Sequence, residues 1–215
     1  MEAINFLIDF VLHIDVHLGQ IITTYGVITY AIMFFVIFIE TGIVFTPFLP
    51  GDSLLFAAGA FAALGSLNIF VLLGLMILAA VLGDTSNYWI GHFFGERLIA
   101  NPKVPIKKGH IDKTKAFFDK HGGKTIILAR FVPIVRTFAP FVAGVGRMNY
   151  GKFISFNIIG GIAWVLLATL TGFFFGNIPF VKDNFSIVIL VIIVISILPM
   201  FFEIVKGKMK VTKVE

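Results

Sequence analysis

Cysteine is absent from the 215-residue chain, and charged side chains make up only 13% of it. Without cysteine the chain forms neither disulfides nor Cys-ligated metal sites. Soluble domains carry about 25% charged residues, whereas 58% of this chain is hydrophobic, with 26 phenylalanines. A water-soluble domain of this size lacks the polar surface to cover so much apolar area. Composition therefore excludes a soluble enzyme, a disordered chain and a secreted disulfide scaffold, and it predicts a multispanning membrane protein.

Several sequence signals of other protein classes are also missing. Residues 1–24 contain no Lys or Arg, so the basic start of a cleavable signal peptide is absent. The chain has no G-x-S-x-G, H-E-x-x-H or Walker motif. The apolar runs are long and continuous rather than alternating, which indicates helices. We therefore expect an all-α membrane protein that is not an enzyme and that has no cofactor, no metal and no nucleic-acid partner.

Basic residues are concentrated in one connection and in the tail. Residues 96–124 hold eight Lys or Arg against three acids, and residues 203–215 hold four Lys against two Glu. Both segments are predicted to be cytoplasmic by the positive-inside rule. The first half of the chain is predicted to contain an interfacial helix at 1–24, a transmembrane helix at 25–41, a hairpin at 43–65 and a transmembrane helix at 69–95. A basic loop with an amphipathic helix follows at 96–124. The second half is predicted to contain a second hairpin at 125–146, transmembrane helices at 150–176 and 185–205, and a cytoplasmic tail at 206–215.

The stretch 125–146 is too short to cross a bilayer twice, yet basic residues flank it on both sides. A re-entrant hairpin, which enters the membrane and returns to the same side, satisfies both conditions. Pro133 and Pro140 remove helix donors and are the predicted breaks. Residues 43–65 are likewise an apolar stretch that prolines and a glycine interrupt. The breaks predicted there are Pro47, Pro50 and Gly51.

Two pairs of short motifs suggest that the chain contains an internal repeat. Phe56-Ala-Ala-Gly59 follows the first break, and Phe141-Val-Ala-Gly144 follows the second. Gly91-His-Phe-Phe-Gly95 and Gly172-Phe-Phe-Phe-Gly176 close the helices after them. The charge pattern points the two units in opposite directions, which is the inverted repeat of many secondary transporters. The alternative is that such motifs arise by chance in a sequence rich in Phe and Gly.

Ionisable side chains are costly inside a membrane, and four of them lie in or beside the hairpins: Glu40, Asp52, Arg130 and Arg136. The two carboxylates are predicted to couple protons or ions. The two guanidiniums, whose forks suit phosphate, are predicted to bind an anionic head group. The alternatives are structural: Glu40 in an ion pair or at the membrane surface, Asp52 as a helix N-cap, and the arginines paired with these acids.

A polar stripe and a small-residue pair leave two further alternatives open. Asp84, Asn87, Tyr88 and His92 share one helix face, which could line a polar path or form helix–helix hydrogen bonds. Gly160-Gly161 could form a homodimer contact or serve internal packing.

The two hairpin segments carry long motifs that identify a family. They read Glu40-Thr-Gly, then Thr46-Pro-Phe-Leu-Pro-Gly-Asp52-Ser53, and Ala129-Arg130-Phe-Val-Pro-Ile-Val-Arg136-Thr-Phe-Ala-Pro140-Phe-Val-Ala-Gly144. Over almost its whole length the chain resembles the DedA family of bacterial inner-membrane proteins. That resemblance implies two inverted re-entrant hairpins with supporting helices. The chain departs from the family pattern at His92, a position where family members often have an arginine.

The resemblance also implies a function and a set of residues. Eukaryotic relatives, the VTT or SNARE-associated Golgi proteins, are lipid scramblases. Bacterial members are implicated in returning undecaprenyl phosphate to the cytoplasmic leaflet or in moving phosphatidylethanolamine. Family members depend on acids matching Glu40 and Asp52 and on arginines matching Arg130 and Arg136.

We therefore expect a lipid flippase or scramblase of the bacterial inner membrane, with a membrane lipid and protons as its partners and a cytoplasmic C-terminus. Two other functions fit the buried charges or the architecture less fully. One is a proton-coupled transporter of a small ion or drug, and the other is a non-transporting assembly factor for membrane proteins.

Overall fold

The computed structural model describes residues 24–43, 51–100, 108–176 and 178–183, together with positions 20, 22 and 191. Within these ranges every regular element is a helix and none is a strand. The helices are α1 Ile28–Gly42, α2 Gly51–Ala63, α3 Ile69–Ala100, α4 Lys108–His121, α5 Thr125–Ala129, α6 Pro133–Val145, α7 Tyr150–Gly176 and α8 Pro179–Asp183, with a 3₁₀ turn at Gly122–Lys124. The predictions for 1–24, 185–205, 206–215, Pro47 and Pro50 lie almost wholly outside the described residues.

Two of these helices are long and apolar enough to cross a membrane. The apolar parts of α3 and α7, Ile69–Gly95 and Tyr150–Gly176, each contain 27 residues. At about 1.5 Å per residue, each is about 40 Å long and exceeds a hydrocarbon core of about 30 Å. Helix α1 is shorter, with 15 residues. It begins at Ile28 rather than at 25, because the chain turns at Gly26, whose φ is +51°.

The second predicted hairpin is a pair of helices separated by a three-residue break. Helix α5 ends at Ala129, the chain turns through 130–132, and α6 begins at Pro133, whose missing N–H costs nothing at a helix start. The prediction that Pro140 breaks the hairpin is wrong, because Pro140 lies inside α6. A proline there removes only the hydrogen bond to the carbonyl four residues earlier, and packing of the helix tolerates that loss.

The chain divides into two compact units. The first contains the described residues up to Thr29, Asp52–Ile69, and the described residues from Ala168 onward. In it, α2 packs against the end of α7 so closely that glycines are required. A Cβ on Gly59 would collide with the carbonyl oxygen of Thr169, and a Cβ on Gly172 would collide with that of Phe56.

The second unit contains the described residues of Tyr30–Gly51 and Phe70–Leu167. Its helices α3 and α6 approach each other in the same way. A Cβ on Gly144 would collide with the carbonyl oxygen of Tyr88, and a Cβ on Gly91 would collide with that of Phe141. The paired sequence motifs therefore make paired contacts: Phe56-Ala-Ala-Gly59 packs on the motif that begins at Gly172, and Phe141-Val-Ala-Gly144 packs on the motif that begins at Gly91.

Candidate functional site

A buried ion pair lies at the centre of the second unit. Arg130, in the turn between α5 and α6, places its Nη2 2.5 Å from Oδ2 of Asp84 on α3. The same nitrogen donates to Oδ1 of Asn157 on α7 at 2.6 Å. The side chains of Arg130 and Asp84 are only 2% and 6% exposed, so each charge depends on the other for compensation. Three helical segments far apart in sequence thus meet at one guanidinium.

The Gly160-Gly161 pair on α7 provides the space for this guanidinium. A Cβ on Gly160 would lie 3.2 Å from Cδ and Nε of Arg130, and one on Gly161 would lie 3.6 Å from its Nη2. Both glycines are buried within the unit. Of the two alternatives left open by the sequence, internal packing is therefore the role of this pair.

Arg136, on α6, pairs with Glu40 at the end of α1. Its Nη2 lies 3.1 Å from Oε1 of Glu40, and the two side chains are 11% and 8% exposed. The carboxylate of Glu40 also packs directly on Gly51, the first residue of α2, where any Cβ would overlap it. The sequence indicated Gly51 only as a break, whereas the structure also gives it a steric role beside Glu40.

A tryptophan ring joins the two arginines. The guanidinium carbon of Arg136 lies 4.2 Å from the ring centre of Trp164, and that of Arg130 lies 5.8 Å from the same centre. Trp164, on α7, is 3% exposed. Sequence reasoning missed it, although it is one of only two tryptophans and stands in a charge-free stretch. The indole face is a favourable surface for a cation in a buried site.

Replacing Trp164 by leucine is expected to lower the free energy of unfolding by about 3 kcal/mol, because it leaves a cavity and removes the contact with both arginines. Trp164→Phe keeps an aromatic face and is expected to cost less. The measurement is chemical unfolding in detergent micelles followed by circular dichroism. Trp89, at 36% exposed, offers a matched control in Trp89→Leu, which should cost clearly less. Equal losses for the two tryptophans would contradict the role given to Trp164.

Asp52 lies in the first turn of α2 and is exposed. A carboxylate there is favourable because the helix N-terminus is positive. Since α2 begins at Gly51, Asp52 lies inside the helix rather than at its N-cap. It belongs to the first unit, whereas Glu40, Arg130 and Arg136 belong to the second.

The polar stripe on α3 is divided among several partners. Asn87 donates to the carbonyl oxygens of Thr41, at 3.3 Å, and Thr137, at 3.0 Å, and thereby joins three helices. The hydroxyl of Tyr88 donates to the carbonyl of Met148. Asn87 therefore forms interhelical hydrogen bonds, the second of the two alternatives, and Tyr88 bonds to the connection between α6 and α7.

The site has spare donors but no metal-binding cluster among the residues described. Nε and Nη1 of Arg130 are buried without a hydrogen-bond partner in the described part of the chain. Within the same ranges, no three His, Cys, Asp or Glu side chains come together as metal ligands. Chemically, guanidiniums are donors suited to an anion, and here the carboxylates of Asp84 and Glu40 pair with them.

Comparison with known proteins gives a match to one family model and to several bacterial relatives. The VTT domain family matches residues 49–174, a range that includes Asp84, Arg130 and Arg136 but begins after Glu40. The chain is 58% identical to Protein DedA of Escherichia coli strain K12 over 97% of its own length and 96% of that protein. It is 47% identical to an uncharacterized membrane protein of Mycobacterium tuberculosis strain H37Rv, over 76% of this chain and 73% of the relative.

A more distant relative is the inner membrane protein YqjA of Escherichia coli strain K12. It is 33% identical over 70% of this chain and 69% of its own length. No solved structure gives a significant match. The family assignment therefore rests on sequence, and the geometry of the charged site comes from this chain alone.

Proposed function

The chain belongs to the VTT-domain, or DedA, family of membrane proteins, and on that premise we propose that it moves an anionic lipid between membrane leaflets. Undecaprenyl phosphate is the first candidate, and the bacterial inner membrane is the proposed location, with the C-terminus in the cytoplasm. The observation that carries the proposal is the pair of buried guanidiniums that share the Trp164 ring.

The chemistry of the arginines favours a phosphate head group as the substrate. A guanidinium presents a planar fork of donors that binds two phosphate oxygens at once. Nε and Nη1 of Arg130 are buried without hydrogen-bond partners among the described residues, so Asp84 and Asn157 leave part of the hydrogen-bonding capacity of this guanidinium unused. Burying an uncompensated charge in lipid costs several kcal/mol, and a site that already contains balanced charges lowers that cost for a crossing phosphate.

We propose different roles for the two ion pairs. Arg130 is enclosed by Asp84, Asn157 and the two glycines, and it is the fixed member. Arg136 and Glu40 are the more exposed pair, and a phosphate that approaches Arg136 competes with the Glu40 carboxylate. Protonation of Glu40 removes its charge and frees Arg136 for the substrate. Asp52 is proposed as a second site of proton binding, on the basis of the family resemblance alone.

The matched glycine contacts support an inverted repeat of two re-entrant hairpins as the transport scaffold. In each repeat the Phe-x-Ala-Gly segment packs on the G-x-F-F-G helix end of the other. Inverted repeats of this kind are the scaffold of many secondary transporters.

Arg136→Ala is expected to slow lipid movement by about tenfold or more, since hydrogen bonds to charged groups contribute about 1.5–3 kcal/mol each. The purified protein is reconstituted in liposomes, and leaflet accessibility of undecaprenyl phosphate and of a labelled phosphatidylethanolamine is followed with and without a pH gradient. The matched control is Lys120→Ala, which removes an exposed basic side chain on α4.

The outcomes of the liposome assay distinguish the proposed lipid transport from the other functions considered for this chain. Movement of the prenyl phosphate alone, lost with Arg136→Ala, supports an anion-selective flippase. Movement of both lipids supports a scramblase of low selectivity. Movement of neither lipid by folded protein contradicts the proposal and leaves ion transport or membrane-protein assembly. A cation transporter would need Glu40 yet retain activity with Arg136→Ala.

A further inference from the structure

A cavity of about 260 Å³ lies where the end of α3 meets the end of α6. Its described lining residues are Gly91, His92, Phe93, Gly95, Arg97, Val145 and Arg147. None of these described residues is acidic, and none belongs to the site around Trp164. Pockets for drug-sized ligands hold about 300–1,000 Å³, so this one suits a smaller group. Its three basic side chains indicate an anion.

The backbone of Arg147 adds a second observation. Helix α6 ends in a Schellman motif, in which the N–H of Met148 donates to Ala143 and that of Arg147 to Gly144, both at 2.9 Å. Arg147 occupies the left-handed position of this motif, with φ +50°, where glycine is usual. A larger residue there costs roughly 1–2 kcal/mol. Backbone strain of this kind clusters at functional sites, and it therefore points to a role for the Arg147 side chain.

The two walls of the cavity are fixed to each other. The hydroxyl of Tyr88 on α3 donates to the carbonyl of Met148, directly after Arg147. Gly91 and Gly95 bring α3 against the backbone of Phe141 and the side chain of Val145. A cavity held this way loses little conformational entropy when a ligand binds.

His92 also lines the cavity. Its Nδ1 is buried and has no hydrogen-bond partner within the described residues. Its ring is held between two aromatic neighbours, stacked at 6.0 Å on Tyr88 and edge-on at 5.4 Å to Trp89. Buried polar atoms are rarely left without a partner, so this nitrogen is suited to meet a ligand.

We propose that this cavity binds a phosphoryl group or a comparable small oxyanion. Arg97 and Arg147 supply positive charge and forked donors, and His92 supplies a further ring nitrogen. Arg97 stands just beyond the apolar stretch of α3, which ends at Gly95, so the site faces the boundary between membrane and water. A lipid head group and dissolved phosphate both reach such a position. This site shares no residue with the proposed transport site, and its test measures binding rather than lipid movement.

Arg147→Gly is the most informative variant, because it removes the guanidinium and relieves the backbone strain together. Its thermal stability is expected to equal or exceed that of the wild type, since glycine adopts a positive φ without cost. Its affinity for inorganic phosphate is expected to fall by about tenfold or more, as loss of a charge-assisted hydrogen bond implies. Isothermal titration calorimetry on the full chain in detergent micelles measures the affinity.

Further variants separate this cavity from other sources of binding. Arg97→Gln is expected to weaken phosphate binding as Arg147→Gly does, and Arg147→Lys is expected to retain part of it. Lys120→Gln, which removes an exposed basic charge on α4, should leave the affinity unchanged. Because Arg136 belongs to the proposed transport site and would itself bind phosphate there, the Arg147→Gly and Arg97→Gln comparison is repeated in the Arg136→Gln background, where a loss of affinity isolates this cavity. Equal phosphate affinity in the wild type, Arg147→Gly and Arg97→Gln would overturn the proposal.

A second arm identifies the source of the phosphoryl group. The same variants are placed in nanodiscs of neutral phosphatidylcholine, and phosphatidic acid is titrated in place of inorganic phosphate. Arginine-dependent binding of both ligands assigns the cavity to phosphoryl groups in general. Dependence seen only with phosphatidic acid assigns it to lipid head groups, and dependence seen only with inorganic phosphate assigns it to a dissolved anion. Dependence in neither arm rejects the site.

Discussion

Asparagine in place of Asp84 is expected to lower the free energy of unfolding by about 3–5 kcal/mol, the usual cost of removing one partner from a buried ion pair. The substitution keeps the shape of the side chain and removes its charge. Arg130 then retains Oδ1 of Asn157 at 2.6 Å and the Ala80 carbonyl at 3.5 Å as acceptors. Neither acceptor carries a charge, so the guanidinium stays buried without compensation. Chemical unfolding in detergent micelles, followed by circular dichroism, measures the loss.

A double variant distinguishes charge from packing at this position. Asp84→Leu combined with Arg130→Met removes both charges, and apolar replacement of a buried pair is often neutral or stabilising. The double variant should therefore be more stable than Asp84→Asn alone. Asp112→Asn, on the exposed face of α4, is the matched control and should change stability by no more than about 0.5 kcal/mol. Wild-type stability of Asp84→Asn would mean that the ion pair does not hold this unit together.

Alanine in place of Gly144 is the second substitution with a large expected effect. The added Cβ would collide with the carbonyl oxygen of Tyr88 and approach the backbone nitrogen of His92 to 2.8 Å. Both atoms belong to the backbone of α3, so relief requires the two helices to separate. Overpacking of this kind costs about 1–3 kcal/mol or more. A lower midpoint of thermal unfolding in detergent is the expected result.

The chain contains its own control for this prediction. Gly74 lies inside α3 on an exposed face, with nothing within 4 Å of its Cβ position. Gly74→Ala should therefore stabilise the protein by about 0.5–1 kcal/mol, because glycine is costly in a helix interior. Gly59→Ala, at the matching position of the first unit, should destabilise as Gly144→Ala does. If Gly59→Ala and Gly74→Ala behaved alike, the matched contacts would not be equivalent in energy.

Composition and chain pattern by themselves determined the class of the protein and much of its secondary structure. The shortage of charge in long apolar runs predicts membrane helices, and helices cover the stretches 69–95 and 150–176. Proline at 133 marks the start of α6, since its missing N–H is harmless only in a first helical turn. The paired Phe-x-Ala-Gly and G-x-F-F-G motifs also point to the residues whose small size matters. All of these signals are local, because each is recognised from the residue types and their spacing within one segment of the chain.

The tertiary structure alone decided which residues meet. The sequence considered Asp52 as a partner for the arginines, but Arg130 pairs with Asp84, 46 positions away. Nothing along the chain indicated that Trp164 lies against both guanidiniums or that Gly160 makes room for one of them. Pro140, a predicted break, lies inside α6, where its neighbours Ala139 and Phe141 are buried. Periodicity tells which side chains share a helix face, whereas the partner of that face depends on how separate helices pack, and no spacing within one helix encodes it.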